Sequence, residues 1–126
     1  MDTVPGQSNL ETLMGYVRKE RDIWESPRTV ALMRMLVSEC LRDRDFALQI
    51  YRNLHLPFIA RLSELFAQWT KAGEARIDDP DAAAHLFLLI VSGDMSSSKL
   101  FGLEEGMPDE PQIRWRLQPF VTFFGI

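Results

Sequence analysis

Residues 57–94 read PFIARLSELFAQWTKAGEARIDDPDAAAHLFLLIVSGD, and this stretch decides the fold. Phe58, Ile59, Leu62, Leu65, Phe66 and Trp69 recur at steps of three and four, which places them on one side of a helix. Gly73 fits the left-handed position that ends such a helix, with Lys71 in the last turn where a cation suits the dipole. Asp79-Pro80 is a start signal, a cap followed by a proline in the first turn. The second helix then carries Ala82, Ala83, Leu86, Phe87, Ile90 and Val91. Apolar stripes this broad need partners on more than one face, so the pair is expected to form the wall between a domain core and a second subunit.

Toward the amino terminus, Ser8 and Glu11 form a capping box for a helix whose buried side holds Leu10, Leu13, Met14, Val17 and Trp24. Residues 1–8 are expected to be a loose lead-in, and 9–126 one helical domain. Ser26-Pro27 starts the next helix. Its apolar residues from Val30 to Leu41 leave only a narrow polar stripe around Arg34, Ser38 and Arg42, which predicts the central helix of the bundle. The charged run 42–45 breaks it, and a short helix over Phe46 to His55 precedes Pro57, which opens the organising helix.

Toward the carboxy terminus, the second organising helix is expected to fade over Gly93 to Leu100, weakened by Ser96, Ser97 and Ser98. A loop follows from Gly102 to Pro111. A last helix has Ile113, Leu117, Phe120, Val121 and Phe124 on its apolar side, with a kink or restart at Pro119. The fold class is therefore all-α, an antiparallel bundle of roughly six helices without strands.

Composition narrows the function. The 126 residues fit one domain, and a net charge of -4 gives the chain as a whole no electrostatic reason to hold nucleic acid or an anionic membrane. The single cysteine, Cys40, forms no internal disulfide, no signal peptide is visible, and the apolar block 82–93 is too short to span a bilayer. A cytoplasmic protein without membrane attachment is expected.

The segment FAQWTKAGEARIDDPDAAAHLFLLIVSG (66–93) resembles the carboxy-terminal domain of TetR/AcrR-type bacterial transcriptional regulators. There a helix ends in glycine, a short linker reaches an Asp-Pro start, and an alanine-rich helix with a Phe and a closing Gly follows. VSECLRDRDFALQIY (37–51) resembles the family segment joining the central helix to the next, and FVTFFGI (120–126) is similar to its close. The resemblance extends over nearly the whole chain from about Leu10. It lacks the amino-terminal three-helix DNA-binding unit and connecting helix of such regulators, which leaves the effector-binding and dimerisation part. Either the chain is a fragment of a longer regulator, reaching DNA through the missing amino-terminal domain, or it is a natural protein that has lost DNA binding.

The resemblance implies a pocket for a small, mostly apolar effector lined by Met14, Val17, Met33, Val37, Cys40, Tyr51, Leu54, His55 and Phe58. Tyr51 or His55 would orient the ligand and the methionines would adapt to its shape. Periodicity and resemblance together imply a homodimer through a four-helix interface of the 57–72 and 80–98 helices. Leu62, Phe66, Trp69, Phe87, Leu88 and Val91 are its candidates, with Ala83 and Ala84 allowing close approach. The alternative for each of these residues is an ordinary core. His55 and His85 are far apart in sequence, so neither a metal nor a cofactor is expected. Asp78, Asp79 and Asp81 crowd a helix start, where carboxylates act as caps. Glu39 is expected to pair with Arg42 or Arg34. Ser38 and Ser96 have no partners that would make a nucleophile, so no enzyme is expected. The rival reading is a stand-alone helical interaction or small-ligand carrier protein.

Overall fold

The chain is described by a computed structural model over residues 8–103 and 108–126. The expected lead-in, apart from Ser8, and positions 104–107 of the expected loop lie outside the described residues. In order the elements are α1 (Asn9–Glu25), α2 (Pro27–Arg42), α3 (Arg44–Ile50), a π-helical segment (Tyr51–His55), α4 (Leu56–Lys71), α5 (Pro80–Leu100) and α6 (Glu110–Phe124). The fold is all-helical, with no strand among the described residues.

The described residues make five continuous helices rather than six, because α3, the π-helical segment and α4 run on without a break. Pro57 was expected to open a new helix. A proline inside a helix has no N–H to give and crowds the preceding turn. The wider π turn just before it, closed by the Leu56 N–H donating to the Tyr51 carbonyl, accommodates that defect and the helix continues.

Each of the five continuous helices starts with a side-chain cap. The side chains of Ser8, Ser26, Asp43, Asp79 and Asp109 each accept the N–H three residues on, at 2.9–3.3 Å. Each such cap is worth about 1 kcal/mol. At the end of α4, Gly73 has φ 79°, its N–H donates to the Thr70 carbonyl, and the Glu74 N–H donates to the Trp69 carbonyl. This paired arrangement satisfies two carbonyls that the helix end would otherwise orphan.

The central helix is α5, not α2 as expected: α5 packs against α1, α2, α4 and α6. Its inward stripe of Ala83, Ala84, Phe87, Val91 and Met95 is fully buried. The rings of Phe66, Phe87 and Phe120 meet at 5.9–6.3 Å, and Tyr16 places ring contacts on Phe58 and Phe87 at 6.1 and 6.2 Å. The connector between α4 and α5 also enters the core through Ala75 and Ile77, while the Arg76 N–H donates to the Phe124 carbonyl at 2.6 Å and ties down the carboxy terminus.

Helix α2 has no buried residue, although it is rich in apolar side chains. It lies at the edge, with Leu32, Met35, Val37 and Leu41 exposed. Arg34 fastens it to α5 by donating to the carbonyls of Lys99 and Leu100 at 3.0 and 3.2 Å, which caps the α5 carboxy-terminal end with a cation. Glu39 pairs with Arg42, but on the surface, where such a pair contributes little.

Two further expectations are corrected. Helix α5 does not fade at Gly93: Ser92 and Ser96 donate back to the carbonyls of Leu88 and Gly93, so their hydroxyls do not compete with the helix. Helix α6 starts at Glu110, before Pro111, and continues through Pro119 without a restart. Arg114 pairs with Glu11 (2.8 Å) and Arg18 with Glu110 (2.6 Å), as α6 running antiparallel to α1 allows, and Arg116 pairs with Asp94 of α5 (2.7 Å).

Glu20 on α1 is half-buried, and burial raises its carboxyl above the ordinary value of 4.5, a rise partly offset by the Trp24 Nε1–H donating to it at 3.2 Å. The folded chain therefore holds this proton more tightly than the unfolded chain does. The resulting stability is complete below 4.5 and declines as pH rises through the folded value. Glu20→Gln is expected to raise the thermal midpoint at neutral pH, with the gain vanishing below pH 4.5. Melting curves at both pH values check it, and equal midpoints at neutral pH would refute it.

Candidate functional site

Among the described residues, an apolar surface is exposed on the outer sides of α5 and α6. On α5, the inward stripe takes 83, 84, 87, 91 and 95, so Leu86, Leu89 and Ile90 fall on another side of the same helix. On α6, Ile113, Leu117 and Phe120 point inward, whereas Trp115, Pro119 and Phe123, spaced by four, form a second stripe. Leu89, Trp115 and Phe123 are 71%, 75% and 76% exposed. A groove of about 610 Å³ between Leu89, Ile90, Trp115, Pro119 and Thr122 adjoins one of about 470 Å³ between Leu86, Ile90, Pro119 and Phe123. Because they share Ile90 and Pro119, the two form one apolar trough. Large bare apolar patches of this kind mark interaction surfaces.

The side chains expected at a dimer interface lie elsewhere. Leu62, Phe66, Trp69, Ala83, Ala84, Phe87 and Val91 are all buried within the single chain, and Leu88 is half-buried against the same core. They are interior because α4 and α5 turn these stripes toward each other and toward α1 and α6. The outward stripe was legible only as the residue left over once the core stripe had been assigned. Trp115 and Phe123 were missed for the same reason, since α6 was read for one apolar side only.

The residues expected to line an effector pocket divide into two groups. Met14 and Val17 are sealed in the core, and Phe58 packs against it with its ring meeting Tyr16. Met33, Cys40 and His55 are half-buried, while Val37, Tyr51 and Leu54 are exposed. The second group belongs to α2 and the π-helical segment, the part of the bundle with no buried residue.

In that part the fold joins two side chains that sequence order kept apart. The rings of His55 and His85 lie 5.7 Å apart, and Tyr51 stacks on His55 at 5.1 Å. The Nδ1 of His85 is 2.9 Å from the Asp81 carbonyl oxygen. Among the described residues there is no group of three or more His, Cys, Asp or Glu side chains placed to hold a metal ion.

The architecture is thus an all-helical bundle with a central α5, a peripheral apolar α2 and a bare α5–α6 trough. The family model described as "AefR-like transcriptional repressor, C-terminal domain" matches residues 11–125. The chain belongs to this family. As a TetR-type carboxy-terminal domain it falls in a family of transcriptional regulators rather than of enzymes. The match covers all five continuous helices apart from the first residues of α1. No curated protein and no solved structure matches this AefR-like domain. Among its described residues, no helix is long and apolar enough to cross a membrane.

Proposed function

We propose that this AefR-like domain pairs with a second copy of itself through the α5–α6 trough and responds to a small, mostly apolar effector, thereby controlling attached DNA-binding units in the bacterial cytoplasm. The observation that carries the reading is the trough itself. Leu86, Leu89, Ile90, Trp115, Pro119 and Phe123 form an apolar surface that the described residues of one chain do not cover. Two such surfaces related by a two-fold axis would bury one another as a four-helix contact. The sequence alone points to an interface on Phe66, Trp69 and Phe87, but those side chains already fill the core.

The effector is assigned to the side of the bundle where α2 packs on α3, which runs on into the π-helical segment, with Met33, Val37, Cys40, Tyr51, Leu54 and His55 available to it. A helix this apolar with no buried residue gains most from a ligand that covers it. Such a ligand would favour one position of α2. Because Arg34 ties α2 to the end of α5, a helix of the proposed interface, it would bias the geometry of the dimer.

The test is the solution mass of the chain by light scattering across a dilution series. A mass twice that of the 14.5 kDa chain, persisting on dilution into the low micromolar range, is the expected result. A monomer throughout would remove the dimer and favour a stand-alone carrier or interaction protein.

A further inference from the structure

We propose that His55 and His85 together hold a divalent transition-metal ion of the zinc, nickel or copper class, fastening the π-helical segment to the amino-terminal part of α5. The inference goes beyond the effector and dimer reading and does not rest on it.

The spacing of the two rings is near that of two imidazoles sharing one ion. Ring nitrogens bind such ions at about 2.0–2.1 Å, so two rings on a tetrahedral ion have centroids roughly 5.2 Å apart. The observed separation is 5.7 Å.

Both rings are also held in ways that favour a ligand role. His85 Nδ1 sits 2.9 Å from the Asp81 carbonyl oxygen, an acceptor only, so Nδ1 carries the proton and donates. Nε2 is then the nitrogen with the free lone pair, and a backbone carbonyl holding the other nitrogen is the usual support of a metal-binding histidine. Tyr51 stacks on His55 with an interplanar angle of 19°, which restricts the second ring. His85 is exposed and His55 half-buried, so water can complete the coordination shell. With two protein ligands and no third among the described residues, the site selects by imidazole preference: copper(II) binds most tightly, with nickel and zinc weaker.

The test uses the full, untagged chain freed of metal by a chelator and dialysed against nickel or zinc. One ion per chain is expected, with affinity reduced about tenfold or more in His55→Ala and in His85→Ala. The ion should raise the thermal midpoint of the parent chain and leave that of the double variant unchanged. Circular dichroism of the variants confirms their fold. In the parent chain, nickel should broaden the side-chain nitrogen resonances of His55 and His85 together, a readout that needs no variant. Binding that survives the loss of either histidine would overturn the proposal. So would broadening of only one of them, or no uptake beyond that of the double variant.

Discussion

Phe87→Ala is expected to cost about 3–5 kcal/mol, enough to threaten the whole fold of a domain this size. Phe87 is fully buried on the central helix and touches the rings of Tyr16, Phe66 and Phe120, which come from α1, α4 and α6. Removing it opens a cavity where four helices meet, and none of them can move in without losing its other contacts. The check is chemical denaturation of the parent and the variant. The midpoint should fall at unchanged slope, and a loss below about 1 kcal/mol would show that the core closes over the gap. Oligomeric state provides a second readout. At temperatures where the variant remains folded, its mass should match that of the parent, because Phe87 belongs to the single-chain core and not to the trough.

This division between core and trough is where the sequence was hardest to read. Helix existence and most start signals followed from local chemistry: Ser8, Ser26-Pro27, Gly73 and Asp79-Pro80 act within a few residues of themselves, and each does in the structure what its chemistry predicts. The union of α3 with α4 was not legible, because Pro57 is as compatible with a helix start as with a helix that absorbs it in a π turn. Burial was legible only where a helix has one apolar stripe. In α1, Leu13, Met14 and Val17 were placed correctly. In α2 and α5 apolar residues occur nearly all round, so periodicity cannot say which side faces inward. That depends on which neighbour is present, and α2 went to the edge while α5 took the centre. The approach of His55 to His85 depends on the crossing of two helices and leaves no local signature.

Trp115→Glu is expected to dissociate the proposed dimer while leaving the monomer folded. Trp115 is 75% exposed, so its side chain supplies little to the core, and a charge there meets water in the free chain. In a two-fold interface each change occurs twice. Loss of a central tryptophan costs about 2 kcal/mol or more per copy, so roughly 4 kcal/mol per dimer, which corresponds to about a thousandfold weaker association. The two carboxylates would add to this through desolvation and repulsion where the trough closes. Phe123→Glu should act in the same direction, because Phe123 is 76% exposed on the same stripe of α6. Leu41→Glu is the matched control: Leu41 is 82% exposed but lies on α2, away from the trough, so the same added charge should leave the mass unchanged. Light scattering on the three variants decides the matter. Dimers in all three would exclude the α5–α6 surface, and a monomer only in Leu41→Glu would move the interface to α2.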